Sequence, residues 1–478
     1  SLLLIHTSSV PAARAGTVIP DVSLYDHARA TAAIAASLYI YHRDQNSMTE
    51  ESVRNESSPV FLLIGGDFYG IQNYIFSDSG EARKSRSKIL RGRSFAVSLI
   101  CELAADLICR VIGLPSTSVL LNAAGKFTII APNTAQARQA VAGAEEKINS
   151  WLIDVSTGES ALGISTVAAA PADFVAGRFI AVYDRLTEAM AERKFRKFDL
   201  RRHGGTVKGF LNKFNNELKP PLCPYCGKRP SSPASESFKS VRDDKSLCAI
   251  CRDHIFLGEN IVKKNRIAVT AADAELSSED LRLQEPIFGC YQAAFIEGGL
   301  SKLAKSGKLL KCWDISINPA GKASRDVTAR FLNGYVPVYR DDDLYDERIL
   351  EGPKADAKKE EMIDDIREGR PKTFEHIAAK ALNPQSDGER RYTGIQALGI
   401  LKADVDQLGL IISCGMADKQ FTLSRVAALS RQLHFFFAVY LPHLLATVPD
   451  YRDIYTVFAG GDDLFLIGPW NRIVNLTG

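Results

Sequence analysis

Two aspartates follow two glycines near the end of this 478-residue chain, in the sequence Gly-Gly-Asp-Asp at positions 460–463. Short apolar runs flank this turn, and we predict that they form antiparallel strands, Ile454 to Ala459 and Leu464 to Ile467. Glycine tolerates positive φ and lets the backbone approach a ligand closely. Adjacent carboxylates are oxygen ligands of the kind that a hard cation such as Mg²⁺ prefers. The turn therefore predicts a metal site, although by itself it also fits a surface hairpin with an acidic turn.

A second acidic sequence, Asp404-Val-Asp406, ends an apolar strand that starts at Leu398. Alternate strand residues share a face, so we expect both aspartates on one side. Apolar residues between Phe421 and Leu445 recur at helical spacing, which gives the order strand, helix, strand, strand. This order is the first two thirds of a βαββαβ, or ferredoxin-like, unit. Its central strands would bring Asp404 beside the two hairpin aspartates.

Three or four carboxylates that converge on one or two metal ions form the arrangement that nucleotidyl transfer needs. The ions would activate a nucleotide 3′-hydroxyl, align it with the α-phosphate of a second nucleotide and neutralise the leaving pyrophosphate. Backbone N–H groups of the glycines would approach the phosphates. The predicted catalytic residues are Asp404, Asp462 and Asp463. The predicted ligands of Mg²⁺ or Mn²⁺ are these three together with Asp406 and the Val405 carbonyl, and the predicted nucleotide contacts are Gly460 and Gly461.

Four cysteines form two C-x₂-C pairs, Cys223-Pro-Tyr-Cys226 and Cys248-Ala-Ile-Cys251. Two such pairs supply four thiolates for a tetrahedral zinc site. Four protein ligands leave no open coordination position, so the predicted zinc ion has a structural role. Its binding would supply folding free energy to a segment with little core of its own.

Residues 59–202 predict a complete βαββαβ unit, so the chain contains an internal repeat. In this first unit Asp67 and Tyr69 occupy the positions of the Asp-x-Asp sequence. The turn from Asn122 to Lys126 takes the place of the acidic hairpin, and the hairpin carboxylates are missing. We therefore expect a degenerate unit that keeps the fold and has lost the metal site.

The composition is typical of a globular protein, with 46% apolar residues, 24% charged residues and a net charge of +3. No apolar run approaches the ~18 residues of a membrane span. The nine cysteines do not form a secreted disulfide framework, so we predict a cytoplasmic protein. Basic residues gather at 83–93 and 193–219, each either a solvated helix face or a phosphate-binding patch. We expect both ends to be truncated, because the chain starts at Ser1 and stops where a helix has begun.

Three motifs resemble the large signature subunit of type III CRISPR effector complexes, of the Csm type. They are Leu401-Lys-Ala-Asp-Val-Asp-Gln-Leu-Gly409, Leu423-Ser-Arg-Val-Ala-Ala-Leu-Ser-Arg-Gln-Leu433 and Tyr455-Thr-Val-Phe-Ala-Gly-Gly-Asp-Asp-Leu-Phe465. The resemblance implies that ATP is the substrate, that cyclic oligoadenylate is the product and that Ser424 lies near the adenine. It also implies a multi-subunit complex with guide RNA and other Csm-type subunits, activated by target RNA. In that family two palm domains face each other and the nucleotide binds between them.

The resemblance further implies that the N-terminal helix is the last helix of an HD-type nuclease domain. The metal site of such a domain needs a His-Asp dipeptide, and none of the eight histidines is followed by Asp. The predicted fold is α+β and multidomain, with two ferredoxin-like palm domains, the second incomplete, and a zinc-ribbon module between them. The predicted domains are 1–57 (HD-type tail and linker), 58–205 (first, degenerate palm), 206–275 (zinc-ribbon module), 276–390 (mixed linker module with a charged loop) and 391–478 (second, catalytic palm).

Other functions fit parts of the sequence. Diguanylate cyclases also carry a Gly-Gly-acid-acid hairpin, but they have Phe-Lys and Asn-Asp after the first acid, where this chain has Gln-Leu-Gly-Leu-Ile-Ile. A templated polymerase is less favoured because no fingers or thumb are evident. A non-catalytic scaffold subunit of an RNA complex stays open as the alternative outside enzymes. Magnesium-dependent ATP turnover discriminates between the enzyme and the scaffold.

Overall fold

The computed structural model describes residues 2–13, 19–77, 86–123, 125–199, 222–231, 247–276, 282–296, 298–315, 328–329, 335–351, 363, 366–385, 392–404, 418, 420–460 and 463–477. The chain forms two compact units. The first comprises Ser1–Asn260, Lys264–Arg330 and Gln407–Leu433, and the second comprises Ile261–Lys263, Phe331–Asp406 and His434–Gly478. Among the described residues, no helix has the length and apolar character needed to cross a membrane.

The helices and strands up to residue 193 are α1 (Leu2–Thr7), α2 (Leu24–Asp44), α3 (Glu50–Val53), β1 (Phe61–Tyr69), α4 (Ile71–Phe76), α5 (Arg86–Ile112), β2 (Val119–Ala123), β3 (Lys126–Pro132), α6 (Ala135–Ser156), β4 (Ala161–Ala169) and α7 (Phe179–Arg193). The middle of the chain contains α8 (Ala249–Asn260), β5 (Arg266–Ala271), β6 (Tyr291–Ala294), α9 (Leu300–Lys305), β7 (Leu309–Asp314) and β8 (Thr328–Ala329). The C-terminal part contains α10 (Phe374–Ala379), β9 (Asn383–Pro384), β10 (Tyr392–Thr393), β11 (Leu398–Asp404), α11 (Leu423–Phe435), α12 (Leu441–Thr447), β12 (Tyr455–Gly460), β13 (Asp463–Pro469) and α13 (Trp470–Thr477). Short 3₁₀ helices occupy Ser116–Ser118, Pro171–Phe174, Asp341–Tyr345, Glu347–Leu350 and Pro449–Tyr451.

The first sheet is antiparallel and has the strand order β2-β3-β1-β4. Helices α5 and α6 connect its strands, so the element order is βαββαβ, as the sequence predicts. Strand β1 continues through Gly65 and Gly66 to Tyr69. It does so because Gly65 and Gly66 leave room for other side chains. Any Cβ there would collide with Met190 or with the Phe127 ring.

The core of the first unit lies on both faces of this sheet. All residues of β1 are buried. Helices α5 and α6 contact β3 and β4, and helices α2 and α7 contact β3 and β1. Helix α2 begins after the N-cap residue Ser23, whose side chain accepts the N–H of Asp26. On the α2 and α7 side, the buried apolar cluster includes Ala30, Ala33, Phe61, Leu63, Ile130, Val182 and Leu186.

Helix α8 crosses helix α5 at very close range, because each helix carries a glycine at the contact. A Cβ at Gly92 would collide with the carbonyl of His254, and a Cβ at Gly258 would collide with the carbonyl of Lys88. A second sheet of the first unit, with strand order β6-β5-β7-β8, follows α8 in the chain. The residues that follow the second cysteine pair are therefore packed directly onto a helix of the first sheet.

Part of the basic run at 83–93 is buried, which neither a solvated helix face nor a phosphate-binding patch predicts. Arg91 and Arg93 are each 5% exposed. The Arg91 Nε donates to the Gly258 carbonyl at 2.6 Å, and an Arg93 N–H donates to the Ser77 carbonyl at 2.6 Å. These two arginines therefore serve the packing of α5 against its neighbours. The first three residues of the run, and most of the run at 193–219, lie outside the described residues.

The sheet of the second unit is antiparallel, with the order β11-β13-β12. Strand β11 begins at Leu398, as the sequence predicts, and its described part ends at Asp404. The hairpin strands differ from the prediction by a few residues at most. Helix α13 begins where the sequence predicts a helix. One face of the sheet carries the buried cluster Phe437, Leu441, Leu445, Ile454, Leu466 and Ile473.

The helix predicted from Phe421 to Leu445 is interrupted. Helix α11 ends at Phe435, a π-helix occupies Phe436–Tyr440, and α12 begins at Leu441. Pro442 is the second residue of α12. Proline has no N–H and its ring excludes the carbonyl four residues earlier, so the regular hydrogen-bond ladder cannot continue through it. The proline is therefore the physical reason for the interruption.

Candidate active site and metal centre

The acidic hairpin consists of β12 and β13, with Gly460 opposite Asp463. Strand β11 pairs with the other edge of β13, and Asp404 is opposite Asp463. Residues directly opposite in antiparallel strands share a sheet face, with Cα atoms roughly 4.5–5.5 Å apart. The structure therefore brings Asp404, Gly460 and Asp463 together at one end of one sheet.

The other predicted site residues lie in a different unit or outside the described residues. Ser424 is the second residue of α11 and is half-buried. It belongs to the first compact unit, whereas the hairpin belongs to the second. The predicted metal ligands and nucleotide contacts that lie outside the described residues are Val405, Asp406, Gly461 and Asp462.

Within the second unit, Asp404 lies on the exposed face of the sheet. Exposed and half-buried residues alternate along β11, and Leu398, Ile400, Lys402 and Asp404 are the exposed ones. Like charges directly opposite each other on neighbouring strands destabilise a sheet. A cation near Asp404 and Asp463 would remove this repulsion, and carboxylate oxygens suit Mg²⁺ or Mn²⁺. These positions therefore fit a hard divalent cation.

At the equivalent register position of the first sheet, the aspartate is opposite a lysine instead of a second aspartate. Asp67 of β1 is opposite Lys126 of β3, as Asp404 is opposite Asp463. Asp67 is 6% exposed, and the Lys194 Nζ lies 3.5 Å from its Oδ2. Two lysines therefore accompany this aspartate, where the second sheet places a further carboxylate.

Tyr69 strengthens the contrast between the two sheets. Its ring lies over Gly163, where a Cβ would collide with it. Burial, together with the nearby Asp67 carboxylate, raises the pKa of Tyr69 to about 12. A phenol with this pKa is neutral at physiological pH and is a poor metal ligand. The geometry of the first sheet thus provides no carboxylate cluster in its described part.

The four cysteines of the C-x₂-C pairs are buried, and their Sγ atoms all lie within 4.8 Å of one another. The Sγ atoms of Cys226 and Cys248 are 4.0 Å apart. A tetrahedral zinc ion with Zn–S bonds of about 2.3 Å separates its sulfurs by about 3.8 Å. The N–H of Cys251 points to the Cys248 Sγ at 3.4 Å. The donor set and its spacing therefore fit zinc.

The neighbouring thiols favour a thiolate at Cys226, whereas they raise the pKa of Cys248 and of Cys251. Hydrogen bonds from the neighbouring thiols, that of Cys223 first, lower the pKa of Cys226. The guanidinium of Arg229 lies 4.0 Å from the Cys248 Sγ. A positive charge at this distance stabilises the deprotonated form that binds metal.

The first cysteine pair is also tied to the first sheet and its helices. The Lys228 Nζ lies 2.5 Å from a Glu159 carboxylate oxygen and 2.9 Å from the Ser77 hydroxyl. Arg229 donates to the Val155 carbonyl near the end of α6. The cysteine cluster therefore joins three segments that are distant in sequence.

Comparisons with known proteins show which protein families and relatives this chain resembles. Residues 60–208 match the family model described as Csm1 subunit domain B, and residues 397–478 match that of Cas10/Cmr2, second palm domain. Two relatives, from Methanocaldococcus jannaschii and Thermococcus onnurineus, are both named CRISPR system single-strand-specific deoxyribonuclease Cas10/Csm1 (subtype III-A). The first is 27% identical over 96% of this chain and 57% of its own length. The second is 28% identical over 95% of this chain and 52% of its own length.

Solved structures share the fold. A Csm1-Csm4 subcomplex of the type III-A CRISPR-Csm interference complex has a TM-score of 0.64 at 24% identity, over 95% of this chain and 51% of that one. A Csm1-Csm4 cassette in complex with cA4 has a TM-score of 0.65 at 22% identity, over 100% of this chain and 53% of that one. The chain spans about half the length of the curated relatives it matches. The chain is therefore similar to Cas10/Csm1 proteins of subtype III-A CRISPR systems, and residues 60–208 and 397–478 match two domain models of those proteins.

Proposed function

We propose that the acidic hairpin is a divalent-metal site for nucleotidyl transfer. The observation that carries this proposal is the register position of Asp404, opposite Asp463 on an exposed sheet face beside a glycine turn. Two acidic positions that face each other are unfavourable without a cation. The exposure of Asp404, next to a glycine turn, suits a ligand that brings both metal and phosphate.

The chain's own residues have distinct parts in the proposed reaction. When bound, the ions supply charge neutralisation at the nucleotide phosphates and activation of the attacking 3′-hydroxyl. Gly460 and Gly461, which carry no side chain, would offer their N–H groups to phosphate oxygens. Ser424, by family resemblance, contacts the nucleotide near its base. The proposed ligands of Mg²⁺ or Mn²⁺ are Asp404, Asp462, Asp463, Asp406 and the Val405 carbonyl.

The proposed substrate and partners of this protein rest on the solved structures of similar proteins. Solved neighbours are Csm1-Csm4 cassettes in complex with one ATP, with cA3 and with cA4. We propose that the protein containing this chain makes cyclic oligoadenylate from ATP. It would do so as the large subunit of a complex with guide RNA and other Csm-type subunits, switched on by target RNA.

The proposed domain organisation assigns a role to each part of the chain. Residues 58–205 and 391–478 are two ferredoxin-like palm domains, of which the second is catalytic. Residues 206–275 form a zinc-ribbon module that Cys223, Cys226, Cys248 and Cys251 hold through a structural zinc ion. Residues 276–390 are a linker module, and residues 1–57 are the tail of an HD-type domain.

The test is turnover of labelled ATP with Mg²⁺ by the complete protein in its assembled complex. We expect Asp404→Asn to lower the rate at least roughly a hundredfold, because metal-ion catalysis contributes several kcal/mol. The Asp462→Ala/Asp463→Ala pair should abolish turnover without unfolding the protein. The matched control is Asp67→Asn, at the same register position of the first sheet, which should keep most of the activity. Equal losses in Asp404→Asn and Asp67→Asn, or product from the double variant, would contradict the metal assignment.

A further inference from the structure

A segment between the two palms, to which the sequence assigned no role, lies along the acidic hairpin. We call it the connector, residues 335–351 and 366–382. The Tyr335 carbonyl accepts the N–H of Thr456 at 3.2 Å, and the Tyr335 hydroxyl donates to the Arg452 carbonyl at 2.8 Å. Strand β12 is an outer strand of its sheet. The connector therefore covers part of the free edge of a hairpin strand.

An ion pair joins the connector to the start of that strand. Lys372 is 5% exposed, and its Nζ lies 2.7 Å from an Asp343 oxygen and 2.7 Å from an Asp453 oxygen. Asp453 lies two positions before Tyr455, the first residue of β12. The Phe374 ring meets the Tyr455 ring nearby, with centroids 5.3 Å apart. One buried ammonium group thus links the connector to the hairpin.

A second lysine belongs to the same network but has different partners. The Lys380 Nζ lies 2.5 Å from an Asp343 oxygen and 2.5 Å from an Asp346 oxygen. Both of these partners are connector residues. In the part of the chain that the structure describes, Lys372 is the lysine of this pair that reaches the hairpin. Replacement of either lysine by Met therefore removes one positive charge from the same network. Among the described residues, only the replacement of Lys372 also removes a contact to the hairpin.

The pairing of strand β12 is irregular, so a contact that fixes the position of this strand is important. The pairing of β12 with β13 shifts register between Thr456 and Phe458. A register slip by one residue moves every following side chain to the other face of a sheet. In this hairpin the slip would displace Gly460 and the carboxylates that follow it. A buried, doubly paired ammonium group fixes one geometry, since a half-satisfied buried network is costly.

We propose that Lys372 is a positioning residue for the carboxylate hairpin, acting through Asp453 to hold β12 in register. The proposal rests on the proposed function of that hairpin. Lys372 contacts neither metal nor nucleotide in this account. Its effect on the reaction is to keep Gly460 and Asp463 where metal and phosphate bind.

The first test does not depend on activity. Amide hydrogen exchange is measured on the peptide that covers Tyr455–Gly460, in the complete protein and in Lys372→Met and Lys380→Met. We expect faster exchange in Lys372→Met, because the hairpin strand loses its tie, and little change in Lys380→Met. Equal exchange in the two variants would overturn the proposal, whether or not the protein turns over ATP.

The second test compares kinetic constants for ATP. We expect Lys372→Met to lower kcat roughly tenfold to a hundredfold with little change in KM, because a misplaced reacting group loses rate rather than ground-state affinity. Lys380→Met should keep a kcat within about twofold of the wild type, since kcat reports the reacting geometry. A wild type without turnover would reject the proposed function. An active wild type with equal losses in both variants would reject the positioning role alone.

A further variant covers the case in which Lys372→Met does not fold. Asp453→Ala removes the acceptor on the hairpin side and leaves Lys372 paired with Asp343. It breaks the contact to the hairpin without leaving a buried ammonium group unpaired. Its exchange and kinetic behaviour should follow those expected for Lys372→Met. Wild-type behaviour of a folded Asp453→Ala protein would also overturn the proposal.

Discussion

Lys126 and Asp463 occupy the same register position in the two sheets, each opposite an aspartate on the neighbouring strand. In the first sheet the aspartate is buried and accompanied by Lys194. In the second sheet the aspartate is exposed and faces another acidic residue. The residue type at this one position therefore separates a pair of opposite charge from a pair of two acidic residues.

Asp404→Asn should separate repulsion from metal binding. Without divalent ions, we expect the variant to be as stable as the wild type or a few tenths of a kcal/mol more stable, because like charges opposite each other are removed. With Mg²⁺, the wild type should gain thermal stability by binding the ion, and the variant should gain less. Thermal unfolding with chelator and with Mg²⁺ measures both effects.

The matched control for that measurement is Asp341→Asn, which neutralises another exposed carboxylate of the second unit. It should gain as much from Mg²⁺ as the wild type does. Equal gains in all three proteins would show that Asp404 is not a ligand.

Cys248→Ser should remove a bound zinc ion. We expect about one zinc per chain in the wild type and none in the variant, together with a fall in the melting temperature of several degrees. The control is Cys312→Ser, a half-buried cysteine of β7 outside the cluster. It should keep the zinc. Metal analysis and thermal unfolding measure the outcome, and a metal-free wild type with unchanged stability would refute a structural zinc site.

At the scale of elements, two ion pairs join the segment of α2 to helix α11. Asp26 of α2 is 0% exposed and accepts N–H groups from Arg431 of α11 at 2.8–3.1 Å. Asp21, by contrast, has a side chain that is 41% exposed, and it pairs with Arg425 at 2.8 Å. Both pairs join the same two segments. Because the two pairs differ in burial, we expect them to contribute very different amounts to the free energy of unfolding.

Arg431→Met should destabilise the first unit by about 3–5 kcal/mol, because it leaves the Asp26 carboxylate buried without its partner. Arg425→Met, which breaks the exposed pair, should cost about 0–1 kcal/mol. Chemical unfolding of the two variants measures the difference. Similar losses in both would show that burial does not set the strength of these pairs.

His376 makes the second unit sensitive to acid. Burial first, and then the nearby Lys372, lower its pKa to about 4, while Asp343 and Glu375 oppose the shift. Its Nδ1 lies 2.7 Å from the Tyr339 hydroxyl. The unfolded pKa is about 6.5, so protonation favours unfolding between these values. The stability that neutral His376 contributes is complete above pH 6.5 and is lost as pH falls toward 4.

Between pH 7.5 and 5 we expect the wild type to lose about 2 kcal/mol through this histidine. His376→Gln, which does not titrate, should lose less over the same range. Asp343 and Asp346 have lowered pKa values because lysine and arginine partners outweigh their burial, so their own loss begins only at lower pH. Unfolding of the second unit at both pH values gives the test. Identical pH dependence in the two proteins would exclude His376 as the source.

Local patterns were enough to predict the elements of both sheets. Strand β11 begins at its predicted residue because an apolar run followed by Asp-x-Asp is visible within ten residues. The cysteine cluster follows from two spacings within the chain. Lys372 and Asp453 are 81 residues apart and carry no local signal of their pairing. The buried arginines of α5 were misjudged for the same reason, since long-range partners decide their environment.

At the scale of the whole molecule, the two sheets present the same register position in different ways. In the first, helices α2 and α7 pack on the face of β1 that bears Phe61 and Leu63, and Asp67 is buried. In the second, the face of β11 that bears Asp404 is exposed within its unit. This difference supports the proposal that catalysis belongs to the second palm and support to the first. The assignments of Asp404, Asp406, Asp462, Asp463 and Ser424 all stay predictions.

The most direct measurement of the central claim is the product formed from each nucleotide. The complete protein, in its assembled complex, is given labelled ATP or GTP with Mg²⁺, with and without target RNA, and the products are resolved. We predict cyclic oligoadenylate from ATP only when target RNA is present, and none from the Asp462→Ala/Asp463→Ala pair. A cyclic dinucleotide from GTP would move the protein to the diguanylate class. No product from either nucleotide would contradict the account and leave a scaffold subunit.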